Sequence, residues 1–366
     1  MTLMTRLALL ALCALAGSAA AAELTVDEFV ADSGVREGAT PIRQHPGWTA
    51  EPTILVRAMS SASGDLAAAF PGADIIVVTD AEAALPHAGK AHAIVGFCGS
   101  ELVDAAPRLA WVQVYSSGVE RCLENDAFRS GQVVLTNMQK MSSPMIGEHA
   151  IALLLGLTRN LPMFARTMPE GAWRRDLARE SRMTSVQGKT MLVVGLGGIG
   201  KQAALRAKGL GMRVVATRNS SREGPSYVDY VGLADELHTL AGEADVIVNA
   251  LPLTPETEGL FDEAFFAQTK PGSLFINVGR GGTVVTNDLV AALDTGHLGG
   301  AGLDVTAPEP LPPDHPQWQM PNVIITPHVA GFGGSREWHA MLVRENIRRF
   351  LAGDALFNVV DPERGY

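Results

Sequence analysis

Cysteine is scarce in this chain, with three in 366 residues, and none stands in a CxxC pair or in a Cys/His cluster with zinc spacing. That pattern indicates no metal site. There is no lysine- or arginine-rich run, and the formal net charge is -10. Such a balance argues against nucleic acid or an anionic membrane as the main partner, so any bound phosphate must be held locally. No apolar run reaches the roughly 20 residues of a stable membrane span. Low-complexity tracts and short repeats are also missing.

What is there is an ordinary folded composition, 47% hydrophobic and 19% charged, over a length that exceeds one hydrophobic core. Two domains are expected. The first residues follow a separate logic: a positive side chain at Arg6, an apolar stretch from Leu7 to Ala16, then small residues from Ser18 to Ala22. This predicts a secretory signal peptide over residues 1–22. The protein is then periplasmic or secreted if the leader is real, and cytoplasmic otherwise. Cys98 and Cys122 remain, and are expected as buried, unpaired small residues rather than as a disulfide, although export would allow oxidation.

From about Thr53 to Ala110 short apolar runs (ILVRAM, DIIVVT, AHAIVGF, RLAWVQVYSSG) alternate with turn or helical segments. That is the pattern of a parallel α/β sheet. Ser116, Ser117 and Gly118 close the WVQVY strand, at the end where open parallel sheets bind ligands; their amides either meet an anion or form an ordinary turn. Met145 to Arg166 has few breakers and too much apolar content for a surface helix, which predicts one long helix buried on more than one side. Such a helix is central to a domain or lies at a subunit interface, and a contact within a homodimer is preferred. After Gly188 the alternation restarts with TMLVVGLGGIG, recurs at ADVIVNA, SLFINV, GAGLDV and NVIITPH, and ends in a polar-faced helix from Leu342 to Gly353.

GLGGIG follows a short apolar strand and opens a helix, a context that gives its glycines physical work. Gly195 makes the tight turn, Gly197 lets a pyrophosphate approach, Gly198 and Ile199 lead into the helix, and Gly200 permits close helix packing. The helix amino terminus offers unpaired N–H groups to phosphate oxygens. The next strand ends in Thr217, Arg218, Asn219, Ser220, Ser221 and Arg222, where an NAD site would place a carboxylate on the ribose 2′-hydroxyl. Thr217, Arg218, Ser220 and Arg222 suit a 2′-phosphate instead, so NADP(H) is preferred and NAD(H) is possible.

Downstream stand Arg280 in INVGRG, Glu309 in LDVTAPEP and His328 in TPHVAG. An arginine fork suits a carboxylate, and a histidine beside a carboxylate suits proton transfer to an oxygen. With ALPLTPETEGL, GGAGLDVTAPEPLP, HPQW and NVVDPERGY, these motifs make residues 91–366 resemble the D-isomer-specific 2-hydroxyacid dehydrogenase family. The resemblance implies that Arg280 pairs with the substrate carboxylate, that His328 exchanges a proton with the substrate oxygen, and that Glu309 bonds the imidazole. It also implies that Pro252 and Thr257 line the dinucleotide cleft, that the Val278 carbonyl and Asp304 hold the carboxamide, and that the Ser117 and Gly118 amides assist Arg280. Trp318 resembles a substrate-pocket wall in some members, and equally an interface aromatic.

The fold implied is two doubly wound parallel-sheet α/β domains, a Rossmann dinucleotide-binding domain inserted into a flavodoxin-like substrate domain. The substrate domain would take residues 23–140 and 327–366, and the dinucleotide domain residues 141–326. The expected function is NADPH-preferring interconversion of a small 2-oxo acid of the glyoxylate or hydroxypyruvate class and its D-2-hydroxy acid. The alternative is a dinucleotide-sensing binding protein of the same fold without turnover.

Overall fold

Each apolar run becomes a short strand, most of them buried, in the computed structural model, which describes residues 25–58, 66–180, 183–333 and 336–363. The predicted leader lies outside the described residues. Five parallel strands form the first sheet: β1 (Thr53–Arg57), β2 (Asp74–Val78), β3 (Ala93–Val95), β4 (Trp111–Gln113) and β5 (Val134–Thr136), in the order β2-β1-β3-β4-β5. That order is the flavodoxin-like one. Seven more make the second sheet: β6 (Thr190–Val194), β7 (Arg213–Thr217), β8 (Tyr230–Gly232), β9 (Val246–Asn249), β10 (Leu274–Asn277), β11 (Gly300–Leu303) and β12 (Val323–Ile325). They run β12-β11-β10-β9-β6-β7-β8, the Rossmann order with one strand added beyond it.

The helix Arg336–Ala352 returns the chain to the first sheet, where Trp111 stacks on Phe350 with ring centres 5.2 Å apart. Buried polar groups fix the same junction: Asn346 Nδ2 donates to Gln113 Oε1 at 2.8 Å, and the Phe357 amide to Asn346 Oδ1 at 2.7 Å. The dinucleotide domain is therefore inserted into a domain built from both ends of the described chain. Among the described residues no helix is long and apolar enough to cross a membrane.

Two expectations are corrected. The segment Met145–Arg166 is two helices, Ser143–Thr158 and Leu161–Thr167, because Asn160 turns left-handed at φ 52° and Pro162 opens the second. Ala150, Ile151, Leu153 and Leu154 of the first are buried within the dinucleotide domain's own core, so its apolar excess needs no second subunit. The second correction concerns Cys98 and Cys122, which form a disulfide with Cα atoms 5.4 Å apart. They follow the neighbouring strands β3 and β4, and parallel neighbours bring their carboxyl-end loops together.

Candidate active site

The glycine turn is built as its spacing requires. Gly195 sits at φ 94° and its amide donates to the Thr217 carbonyl at 3.1 Å, fastening the turn to the end of β7. A methyl group at Gly200 would collide with the Gly195 carbonyl and stand 2.9 Å from Val193. Gly197, by contrast, has nothing within 4 Å on its side-chain face and caps the helix Gly198–Gly209 without a side-chain bond. The side-chain face of that turn is thus open beside a helix amino terminus, which fits a pyrophosphate. Gly198 faces Ser143, whose Oγ would lie 2.5 Å from an added methyl group, and Ile199 packs on the domain core.

The loop after β7 divides its two arginines. Arg222 is committed to Glu236 at 2.6 Å and to the Tyr230 hydroxyl at 2.9 Å. Bonds from Tyr230 and from the Leu233 amide hold the Glu236 carboxyl below its usual range. Arg218 donates to the Glu223 carbonyl at 2.8 Å and among the described residues meets no carboxylate. Thr217 is buried and Ser220 exposed.

Several residues read as coenzyme contacts spend their side chains on the local backbone. Thr257 Oγ1 donates to the Pro252 carbonyl at 2.7 Å and accepts from the Thr254 amide at 2.8 Å, which shapes the loop after β9. Val278 is buried, its amide on the Asn249 carbonyl at 3.1 Å. The Asp304 carboxylate, only 3% exposed, accepts from Thr326 Oγ1 at 2.7 Å and from the Val329 and Ala330 amides at 2.9 and 3.0 Å. Asp304 is the anchor around which the His328 loop bends.

That loop places the imidazole. His328 adopts φ 54°, a conformation rare outside glycine, and its amide donates to the Asp304 carbonyl at 2.8 Å. Its Nδ1 lies 2.6 Å from Glu309 Oε1, which leaves Nε2 for a substrate. His149, unmarked in the sequence, braces the loop from the helix Ser143–Thr158: its Nε2 lies 2.8 Å from Thr326 Oγ1. Because that hydroxyl donates to Asp304, it accepts from His149.

Arg280 follows β10 and is seated on a buried network that single-residue reading does not find. Asn249 Nδ2 donates to Asn277 Oδ1 and to Thr283 Oγ1 at 2.9 and 2.8 Å, and Thr283 Oγ1 donates to the Arg280 carbonyl at 2.7 Å. The guanidinium reaches across to the substrate domain, where its Nε donates to Glu120 Oε1 at 3.0 Å. Ser117 is held by its Oγ on the Met138 carbonyl, while among the described residues no backbone acceptor takes the Ser117 or Gly118 amide. Trp318 is 42% exposed, its indole N–H on the Pro312 carbonyl. Arg280, Glu309 and His328 thus gather at the carboxyl ends of β10, β11 and β12, beside one end of the first sheet.

Residues 151–330 match the model of the D-isomer specific 2-hydroxyacid dehydrogenase, NAD binding domain. The chain is 32% identical over 282 residues to glyoxylate/hydroxypyruvate reductase B of Klebsiella pneumoniae, an alignment covering 75% of this chain and 86% of that one. It is 33% identical over 304 residues to D-3-phosphoglycerate dehydrogenase of Mycobacterium tuberculosis, covering 82% of this chain but 53% of that one. Among solved structures, the NADPH-dependent glyoxylate/hydroxypyruvate reductase of Sinorhizobium meliloti, in complex with NADP and sulfate, superposes with a TM-score of 0.72 at 29% identity, over 86% of this chain and all of that one. The chain belongs to the D-isomer specific 2-hydroxyacid dehydrogenase family, and it is an NAD(P)-dependent oxidoreductase.

Proposed function

We propose that the protein reduces a small 2-oxo acid of the glyoxylate or hydroxypyruvate class to its D-2-hydroxy acid, with NADPH preferred. The carrying observation is the His328–Glu309 pair at 2.6 Å, set at the same strand ends as the Arg280 guanidinium. When bound, the nicotinamide coenzyme supplies a hydride to the carbonyl carbon. Arg280, with the Ser117 and Gly118 amides, holds the substrate carboxylate. The protonated His328 gives its Nε2 proton to the substrate oxygen and stabilises the charge developing there, while Glu309 on Nδ1 orients the ring.

The glycine turn Gly195–Gly200 would hold the pyrophosphate, and the loops of Pro252, Thr257, Val278 and Asp304 would border the nicotinamide. Arg218 and Ser220 would meet a 2′-phosphate, with buried Thr217 fastening the glycine turn beside them; Arg222 comes to that site with Glu236 already bound and contributes less. The NADPH and NADP bound in similar structures support this preference. Chain crossovers near Lys140 and Pro327 would divide the domains. Exposed Leu161, Met168 and Trp173 on the segment after the broken helix support a homodimer, and Trp318 would face the pocket or the partner. The Cys98–Cys122 disulfide supports an oxidising compartment, hence export.

The test is NADPH oxidation measured with a panel of 2-oxo acids. Turnover of glyoxylate or hydroxypyruvate is expected. Coenzyme binding without turnover of any acid would overturn the reading and leave a dinucleotide-sensing protein.

A further inference from the structure

Glu120 is the one carboxylate in contact with Arg280 among the described residues, and it is not part of the chemistry above. It comes from the loop after β4, whereas Arg280 follows β10, so their 3.0 Å bond crosses the cleft. A second guanidinium N–H, on Nη1, goes to the Gly279 carbonyl at 2.9 Å. Of five donors, those left for a substrate lie on Nη1 and Nη2. Nη2 and Glu120 Oε2 converge on the same spot: a methyl group on Gly118 would stand 2.5 Å from one and 2.6 Å from the other. A carboxylate held by Arg280 and the Gly118 amide therefore lies flank to flank with Glu120.

The charge count gives this contact a consequence. With His328 protonated, Arg280 and His328 are balanced by Glu120 and Glu309, so the four groups sum to zero. One substrate carboxylate leaves the site one charge negative, and a second anionic group leaves it two charges negative. Removing the Glu120 charge relieves a monoanion of one repulsion and a dianion of that one and a second, weaker one.

We propose that Glu120 is a specificity-determining residue that keeps the Arg280 site for 2-oxo acids carrying a single negative charge and turns away dicarboxylates of similar size. This rests on the 2-oxo acid reading above. Glu120 is half exposed, so each charge–charge repulsion is worth a factor of about four at ~5 Å in a water-like dielectric, and more if the cleft closes.

The experiment compares the full-length protein with Glu120→Gln and Glu120→Ala, using kcat/KM for hydroxypyruvate and for oxaloacetate with NADPH. Isothermal titration of the NADPH-loaded proteins with oxamate, a monoanion, and oxalate, its dianionic isostere, gives a readout independent of turnover. Both variants should gain about fourfold for hydroxypyruvate and oxamate, and a further factor of about two for oxaloacetate and oxalate, whose second charge lies farther from Glu120. Equal changes for monoanion and dianion, or losses for both, would overturn the proposal and make Glu120 a positioning partner of Arg280. If no acid is turned over but the oxalate-to-oxamate ratio shifts, the proposed reduction fails and the charge selection stands.

Discussion

Three side chains define the chemistry, and their legibility differs from that of their supports. Arg280, Glu309 and His328 were readable because each sits in a short motif whose order along the chain carries meaning. Glu120 carried no such mark, since its importance arises only when two domains bring it within 3.0 Å of a residue 160 positions away. Asp304 and Thr257, expected beside the coenzyme, also take backbone donors and carbonyls that shape their loops. The two arginines after β7 also part company, because Glu236 and Tyr230 claim Arg222. Replacing Arg218 with Ala should therefore raise the NADPH dissociation constant about tenfold, the loss of a charge-assisted bond of ~1.5 kcal/mol, and leave NADH nearly unchanged. Equal losses for the two coenzymes, measured by fluorescence titration, would remove Arg218 from the phosphate site.

Among the elements, strands set in longer apolar runs are recognisable, whereas β5 and β8 carry only the short apolar runs 133–135 and 230–231. The long apolar segment after Met145 reads as a single helix from its apolar content, which outweighs the break signals at Asn160 and Pro162 where the structure ends one helix and opens the next. The helix Ser143–Thr158 touches the helix Gly198–Gly209 through Gly147, where an added methyl group would lie 2.7 Å from Gln202 Cβ and 2.9 Å from its carbonyl carbon. Two effects oppose each other at that position. Alanine would gain about 1 kcal/mol of helix propensity, but overpacking against a neighbouring helix backbone costs about 1–3 kcal/mol. Gly147→Ala should therefore lower stability by about 1 kcal/mol and displace the pyrophosphate-binding helix, so urea unfolding should show a lower midpoint with unchanged slope. A raised midpoint would show that the helices separate freely.

At the scale of the molecule, the two sheet orders place the open carboxyl ends of both sheets around one cleft, which is why residues from β4 to β12 meet there. The broad plan was visible in the two runs of α/β alternation; the disulfide was not, because pairing depends on which strand ends become neighbours. Export and assembly are separate questions at this scale. Fractionated cells should hold the protein outside the cytoplasm with residues 1–22 removed, and an intact cytoplasmic amino terminus would refute export. Sedimentation should give a dimer that Trp173→Asp dissociates, given that the Trp173 side chain is 94% exposed in the single chain; an unchanged dimer would place the interface elsewhere. The central claim is that the cleft delivers a proton from His328 to the oxygen of a 2-oxo acid, and His328→Ala tests it most directly. Assayed with NADPH and hydroxypyruvate, the variant should lose about 10²–10⁴-fold in kcat, with the NADPH dissociation constant within about twofold of the parent, since the work of the imidazole lies in the reaction step. Turnover within a few-fold of the parent would contradict the account.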